Sequence, residues 1–238
     1  MTMLIPIRDH NPTRHTPIVT IVLIAINVWV FLSIGVSEQT VFHYGAVPCD
    51  VLGKCVGLSR ELDRVFPGRS SLFSVVTSMF MHGSFLHLAF NMLFLWVFGN
   101  NVEDRLNRIG FVAFYFACGI VAAGAHIGVF GSSQTPVVGA SGAISGVLGA
   151  YVVMFPHARV VSLVPMIFFF FVEVPAGLLI GLWFAMQILG GLSDLGSTPQ
   201  GGAGVAFLAH VGGFVSGWVI VKVLGIGRQR IDGMWPER

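Results

Sequence analysis

The sequence predicts an all-α membrane protein, a bundle of six transmembrane helices whose fourth helix is short and begins inside the membrane. Hydrophobic residues make up 55% of the 238 residues and charged residues only 10%, far from the balance of a soluble domain. The apolar residues also fall into runs of about 15 to 25, which suit membrane crossings. Since no repeat or separate soluble part is visible, we treat residues 1–238 as one domain.

Each predicted helix follows from an apolar run and the residues that interrupt it. The first run comes after a polar N-terminus, residues 1–16, and is long enough to cross a bilayer once. The second run is interrupted by His82, Gly83 and Ser84, so its helix is predicted to begin near Ser84. A charged turn at 100–108 precedes the third. The predicted spans are 17–36, 84–98, 109–130, 141–155, 175–192 and 205–224.

Two connecting segments are too long or too apolar to be simple loops. Residues 37–71 form a loop of more than thirty residues, which we predict to have structure of its own at the membrane surface. Its Cys49 and Cys55 either form a disulfide or remain reduced, and both alternatives stay open. Residues 160–174 are apolar and broken by Pro165, which leaves a re-entrant or an interfacial segment as alternatives.

The fourth helix is too short to span the bilayer. It begins at Ser141 within Gly-Ala-Ser-Gly, and Pro156 ends it because proline cannot continue an α-helix. At about 1.5 Å per residue it is roughly 22 Å long, against a hydrocarbon core of about 30 Å, which puts Ser141 roughly 7 Å below one surface. Irregular backbone at that depth is tolerated only beside protein or water. The sequence therefore predicts a water-filled cavity at Ser141.

Basic residues predict the orientation. Of the 13 lysines and arginines, the four in the loop 37–71 lie on one side of the predicted spans and the other nine on the opposite side. The excess of positive charge predicts that both termini, including the tail 225–238, are cytoplasmic and that the loop 37–71 is extracytoplasmic. We therefore expect a multi-pass protein of a plasma (inner) membrane. The small net charge of +2 and the absence of a basic run argue against nucleic acid as a partner.

Polar side chains at matching depth predict a reactive site. His210 lies five residues into the sixth span, about 7 Å down by helical rise, which is the depth of Ser141. Small residues at four-residue spacing, such as Gly213 and Gly217, let helices approach closely in lipid. Because a serine hydroxyl is a weak nucleophile, it needs such an adjacent base. The sequence therefore predicts that His210 contacts Ser141.

The second span adds groups that could stabilise an oxyanion. His87 and Asn91 are four residues apart and share a helix face. Together with the backbone N–H at the start of the fourth helix, they could stabilise a developing oxyanion. No Asp or Glu accompanies His210, which favours a Ser–His dyad over a triad. A zinc-protease motif needs Glu directly after its first histidine, but Gly83 follows His82, so no metal is expected.

These motifs resemble those of the rhomboid intramembrane serine proteases, a family of six-helix bundles. The shared residues are Gly139-Ala140-Ser141-Gly142, His82-x₄-His87-x₃-Asn91 and Ala209-His210-x₂-Gly213-x₃-Gly217, and the turn 99–105 is similar to that of bacterial members. The resemblance implies that Ser141 is the nucleophile, His210 the base, and His87, Asn91 and the Ser141 amide the oxyanion donors. His82, Gly139, Gly142, Gly213 and Gly217 would be structural or line the cavity. The family cleaves transmembrane segments of membrane proteins in the lipid bilayer near their outer ends, without a cofactor.

Some features depart from this pattern or allow other functions. Ser145 occupies the place where some members carry an aromatic residue that stacks on the histidine. A noncatalytic relative that binds and escorts transmembrane helices is the main alternative, although such relatives usually lack the serine or the histidine. A transporter would need ionisable groups near the midplane, and only Glu173 is a candidate. Its position just before Pro175 favours a residue at the inner membrane surface over a group at the midplane. His126 could line the cavity or make an ordinary hydrogen bond.

Overall fold

The computed structural model describes residues 4–165, 169–195 and 206–227, and this part of the chain is mostly helical. A single strand, β1 (Ile5–Asp9), comes first, and two more, β2 (Arg159–Pro165) and β3 (Phe169–Pro175), lie between the eighth and ninth helices. The helices are α1 (Ile18–Ile34), α2 (Glu38–Tyr44), α3 (Pro48–Val51), α4 (Val56–Val65), α5 (Ser74–Thr77), α6 (Phe85–Phe94), α7 (Asn100–Val129), α8 (Ser141–Met154), α9 (Ala176–Leu195) and α10 (Phe207–Val223). A 3₁₀ turn (Ser78–Phe80) follows α5, and a π-helical turn (Leu95–Gly99) joins α6 to α7.

The apolar helices lie where the sequence predicts them, to within a few residues at most ends. By length and composition, two stretches of the described chain suffice to cross a membrane, Phe85–Val129 and Ala176–Ser193. Three further apolar helices, α1, α8 and α10, are shorter than 18 residues. Of the predicted tail, residues 228–238 lie outside the described residues.

The 45-residue stretch Phe85–Val129 is divided at Asn107. If continuous, it would be about 68 Å long, more than twice the hydrocarbon core. Asn107 has non-helical backbone angles (φ 57°, ψ 171°), and its Oδ1 accepts the N–H of Gly110 at 3.1 Å, which caps the second part. The turn predicted at 100–108 is therefore helical up to this break. Its Glu103 is buried and accepts the N–H groups of Val19 and Thr20 at the start of α1.

The helix α8 lies at the centre of the molecule and packs directly against α10. Most of its residues are buried, and Tyr151 is fully so. A Cβ added to Gly213 would lie 2.0 Å from the Gly142 carbonyl oxygen, and one added to Gly217 would lie 2.0 Å from that of Gly146. The two helices therefore meet backbone to backbone, with no side chain between them at these positions.

A three-stranded antiparallel sheet is the main feature that the predicted all-α class omits. β2 pairs with β1 on one side and with β3 on the other. Residues 160–165 and 169–174 thus belong to two paired strands, a conformation that the sequence analysis did not predict for this segment. β2 contains three valines among its seven residues, and β3 contains three phenylalanines and two valines; such residues favour extended backbone. Part of the N-terminus predicted as a polar tail supplies the edge strand.

The long loop 37–71 contains α2, α3 and α4 and supports the segment that leads to Ser141. Cys49 and Cys55 form a disulfide in this loop. The backbone of Ala46 exchanges two hydrogen bonds with Val137, at 3.0 and 2.8 Å, and the Cys49 N–H donates to the Ser133 carbonyl at 3.0 Å. A buried ion pair between Arg69 and Asp50, 2.5 Å apart, lies within the loop. The loop therefore fixes the irregular backbone before α8.

Candidate active site

Ser141 is the first residue of α8 and follows a glycine in an unusual conformation. Gly139 has a φ of +128°, which residues with a Cβ rarely adopt, and its N–H donates to the Ser78 carbonyl at 2.9 Å. This arrangement turns the irregular segment 131–140 into the helix and presents the Ser141 side chain to a cavity.

The structure brings Ser141 and His210 together. The Nε2 atom of His210 lies 2.8 Å from Oγ of Ser141, which is hydrogen-bonding distance. His210 is on the first turns of α10, and its side chain is buried against α8 and α9. The contact follows from the glycine-mediated packing of α10 against α8, since both residues lie at the same end of that interface.

A third polar side chain, which sequence reasoning did not identify, completes a hydrogen-bonded chain. Nδ1 of His210 lies 2.7 Å from Oε1 of Gln187 on α9. The ring of Trp183, one turn earlier on α9, lies 5.8 Å from the imidazole ring and is tilted by 37°. Among the described residues, the groups that contact the His210 ring nitrogens are the Gln187 amide and the Ser141 hydroxyl, and neither is a carboxylate. The available signal was one glutamine four residues after a tryptophan in an otherwise apolar run.

His87 and Asn91 lie on α6 and line the same cavity as Ser141 and His210. A Cβ added to Gly139 would lie 2.9 Å from Nε2 of His87 and 3.4 Å from Oγ of Ser141, so both atoms border one small open space. Asn91 is buried, and its Nδ2 has no hydrogen-bond partner among the described residues. His87 and Asn91 therefore bring side-chain N–H donors to the cavity that contains the serine hydroxyl.

The other polar residues noted in the sequence are partly at the cavity and partly away from it. His82 is buried with its ring 5.1 Å from that of His87, in edge contact, and His126 lines the cavity. Ser145 donates to the Ser141 carbonyl at 2.6 Å, within α8. Glu173 is on β3, half exposed, where it pairs with His10 at 3.2 Å and with Arg159 at 3.5 Å. It takes no part in the cavity.

The cavity has a volume of about 610 Å³ and is lined by small and aromatic side chains around the polar groups. The irregular segment 133–139 forms part of its wall. Among the described residues, no group of three or more His, Cys, Asp or Glu has the arrangement of a metal site. What the geometry offers is a hydroxyl beside an imidazole, with several N–H donors nearby. Such a set suits acyl transfer.

Comparison with known proteins identifies the family. Residues 69–226 match the model of the rhomboid domain. The chain belongs to the rhomboid family.

Curated relatives of this rhomboid come from fungi, animals and bacteria. "Rhomboid protein 1, mitochondrial" of Saccharomyces cerevisiae is 32% identical over 173 residues, which are 68% of this chain and 45% of the yeast protein. "Presenilin-associated rhomboid-like protein, mitochondrial" of Mus musculus is 30% identical over 226 residues, 89% of this chain and 56% of the mouse protein. "Rhomboid protease GluP" of Bacillus subtilis is 42% identical over 76 residues, 32% of this chain and 14% of that protein. The rhomboid thus spans about half the length of the yeast and mouse relatives.

The relatives correct the predicted localisation. We expected a plasma (inner) membrane, with cytoplasmic termini and a site open to the extracytoplasmic side. The yeast and mouse relatives are named as mitochondrial proteins, which points away from a bacterial plasma membrane, so this prediction is wrong. The physical reason is that lysine and arginine counts distinguish the two sides of a bilayer but do not indicate which membrane it is.

Proposed function

We propose that this rhomboid is an intramembrane serine endopeptidase that uses a Ser141–His210 dyad to cleave transmembrane segments of other proteins. The observation that carries the proposal is the 2.8 Å contact between Ser141 Oγ and His210 Nε2 at the wall of a cavity of about 610 Å³. Family membership supports it, and the Bacillus subtilis relative is named as a rhomboid protease.

The dyad would act in two acyl-transfer steps. His210 Nε2 takes the Ser141 proton while Oγ bonds to the scissile carbonyl carbon, and the carbonyl electron pair moves to oxygen. The imidazolium then gives its proton to the leaving nitrogen as the C–N bond breaks, which leaves an ester on Ser141. Water, deprotonated by His210, attacks that ester, and the proton returns to Oγ as the second product leaves.

Three donors would stabilise the oxyanion of each tetrahedral intermediate. The Ser141 N–H belongs to the first turn of α8, where backbone N–H groups have no intrahelical acceptor. The Nδ2 of Asn91, for which the described residues offer no hydrogen-bond partner, and the imidazole of His87 border the same cavity. Removing one such donor from other serine hydrolases typically slows the reaction by about 10²–10³-fold.

The substrate class follows from how the chain would lie in lipid. We take α1, the two parts of Phe85–Val129, α8, α9 and α10 as six crossings, with the lipid bilayer around them. The 14-residue α8 is only about 21 Å long, so Ser141 would lie below the membrane surface. A peptide bond at that depth belongs to a membrane protein, which would enter sideways between helices. The bond cut would lie near the membrane surface to which the cavity opens.

Cleavage of a model single-span protein tests the proposal. The purified rhomboid is compared with Ser141→Ala and His210→Ala, and with Ser132→Ala and His157→Ala as matched controls on exposed residues. We expect the first two substitutions to lower kcat by at least about 1,000-fold, because the nucleophile or its base is lost. The controls should retain activity.

Two outcomes would contradict the proposal. Equal cleavage by the unmutated chain and by both dyad variants would reject the dyad. Binding of the single-span protein by the unmutated chain without any cleavage would favour a noncatalytic protein that escorts transmembrane helices.

A further inference from the structure

We infer that Gln187 is a positioning residue for the reaction, which holds His210 in the tautomer and orientation that the Ser141 hydroxyl requires. This inference rests on the proposed function. Oε1 of Gln187 lies 2.7 Å from Nδ1 of His210, while Nε2 of the same ring lies 2.8 Å from Ser141 Oγ. The imidazole is therefore held at both nitrogens, by α9 on one side and by α8 on the other.

The hydrogen bonds around Gln187 define which of its amide atoms faces the histidine. Its Nε2 lies 3.3 Å from the Trp183 carbonyl oxygen, one turn earlier on α9. Because a carbonyl oxygen can only accept, the amide nitrogen must face Trp183 and the amide oxygen must face His210. An amide oxygen also only accepts, so Nδ1 carries the proton. The lone pair of the neutral ring is then on Nε2, where it can accept the Ser141 proton.

Burial strengthens the hydrogen bond between Gln187 and His210. Gln187 is 7% exposed and His210 is 9% exposed, so water does not compete freely for either group. In a transmembrane site an uncharged amide orients the ring without burying a carboxylate, whose desolvation is costly. The ring of Trp183, 5.8 Å away and tilted, packs beside the imidazole and limits its rotation. Both orienting contacts therefore come from α9.

Gln187 and Trp183 orient His210 in place of an aromatic side chain at position 145. Ser145, one turn after Ser141, donates to the Ser141 carbonyl and has no ring that could stack on His210. No carboxylate accepts from Nδ1 among the described residues, where Gln187 is the acceptor. Without Gln187 the ring would be free to adopt the other tautomer, which presents an N–H to Ser141 Oγ and cannot take its proton.

A purely structural role predicts a different result. If Gln187 only joined α9 to α10, its loss would lower the thermal stability and leave the kcat of the folded protein unchanged. If it positions His210, its loss lowers kcat and leaves KM nearly unchanged, because the substrate does not need this bond to bind. A residue that retains an acceptor oxygen should then restore activity.

The test compares Gln187→Met, Gln187→Glu and, as a matched control, Leu189→Met, which places the same side chain on the exposed face of α9. Methionine has nearly the volume of glutamine but no acceptor for Nδ1. Glutamate retains an acceptor oxygen in either protonation state. We expect Gln187→Met to lower kcat by about 10- to 100-fold with KM within twofold, since it removes a hydrogen bond to a ring that becomes charged. Gln187→Glu should remain within about fivefold of the unmutated kcat, a loss of under one decade on the same scale.

Thermal unfolding of each variant is measured beside the kinetics, and Gln187→Leu is used if Gln187→Met does not remain folded. Gln187→Met with the same kcat as Leu189→Met would overturn the inference, as would a rise in KM at unchanged kcat. Equal losses in Gln187→Met and Gln187→Glu would also overturn it, because the acceptor would then be irrelevant. If the unmutated chain cleaves nothing while it binds the substrate, the proposed function fails and this inference fails with it. A failure confined to the Gln187 variants leaves the proposed function intact.

Discussion

At Gly139 the chain takes a positive φ of +128° two residues before Ser141, and the missing side chain leaves the space that His87 and Ser141 border. Two constraints therefore favour glycine at position 139, the positive φ and the lack of room for a side chain. A residue with a Cβ at this position would strain the backbone. The added methyl group would also lie 2.9 Å from the His87 ring, within the space that a substrate carbonyl would need.

The first prediction follows from this position. Gly139→Ala should lower kcat for the model substrate by about 100-fold or more, the size of effect that loss of one oxyanion donor has. The control is Gly128→Ala, since a Cβ at Gly128 would meet no atom within 4 Å. Full activity of Gly139→Ala would mean that the space beside His87 is not used.

The sequence was sufficient to predict the pairing of Ser141 with His210 but not the role of Gln187. The contact between Ser141 and His210 could be predicted because helical rise is constant, so that counting from the helix starts puts both residues at one level of the bundle. Gln187 could not be assigned, because a single glutamine in an apolar run does not reveal which neighbouring helix it faces. The helix that Gln187 faces depends on the rotation of α9 about its axis. Contacts with residues distant in sequence determine that rotation.

At the scale of helices, the interface between α8 and α10 determines the separation of the Ser141 and His210 side chains. Gly142 and Gly146 on α8 face Gly213 and Gly217 on α10. Small residues at this spacing allow close approach in lipid, where helices gain little from hydrophobic association. Any added volume at these positions forces the two backbones apart.

Gly217→Ala tests this interface by thermal unfolding in detergent. Its Cβ would lie 2.0 Å from the Gly146 carbonyl oxygen, so we expect destabilisation of about 1–3 kcal/mol and lower activity. Gly124→Ala on α7 is the matched control, because its Cβ would meet nothing within 4 Å. If the two variants unfolded at the same temperature as the unmutated chain, the tight interface would be refuted.

Helices and strands also differed in how well they could be predicted. Apolar runs with clear interruptions, such as Ser84 and Pro156, place the helix ends because each signal is local. The sheet was missed because its edge strand β1 is about 150 residues from β2, and no local pattern reports such a pairing. Valine and phenylalanine at 160–174 fitted a lipid-facing segment equally well.

For the whole molecule, Asp9 connects three distant parts. Its Oδ2 accepts the hydroxyl of Tyr151 on α8 at 2.5 Å and the Nδ2 of Asn101 on α7 at 2.8 Å. The strand β1 thereby attaches the sheet to the end of α8 remote from Ser141. Burial raises the pKa of the Asp9 carboxyl above its ordinary value of 3.8, although the hydrogen bond from Tyr151 opposes this.

The raised pKa predicts a pH dependence of stability. The folded protein holds the Asp9 proton more tightly than the unfolded chain does. The resulting contribution of Asp9 to the free energy of unfolding is fully present below pH 3.8 and is lost as the pH rises through the native pKa. Asp9→Asn cannot titrate, and its amide oxygen can still accept from Tyr151. We expect its thermal stability to fall less than that of the unmutated chain between pH 3.8 and neutrality.

Asp63→Asn, at an exposed position, is the control for the removal of one carboxyl group. Parallel profiles for Asp9→Asn and the unmutated chain would show that Asp9 does not titrate differently on folding.

The contact of α8 with α10 through peptide groups has an evolutionary consequence. Every residue has the same main-chain atoms, so mutations on the lipid-facing sides of these helices leave the spacing of the serine and the imidazole unaltered. Substitutions on those faces should therefore be tolerated, whereas a side chain at Gly213 or Gly217 should not. The distance between Ser141 and His210 is therefore a property of the main-chain packing of α8 and α10, which few of the surrounding side chains can alter.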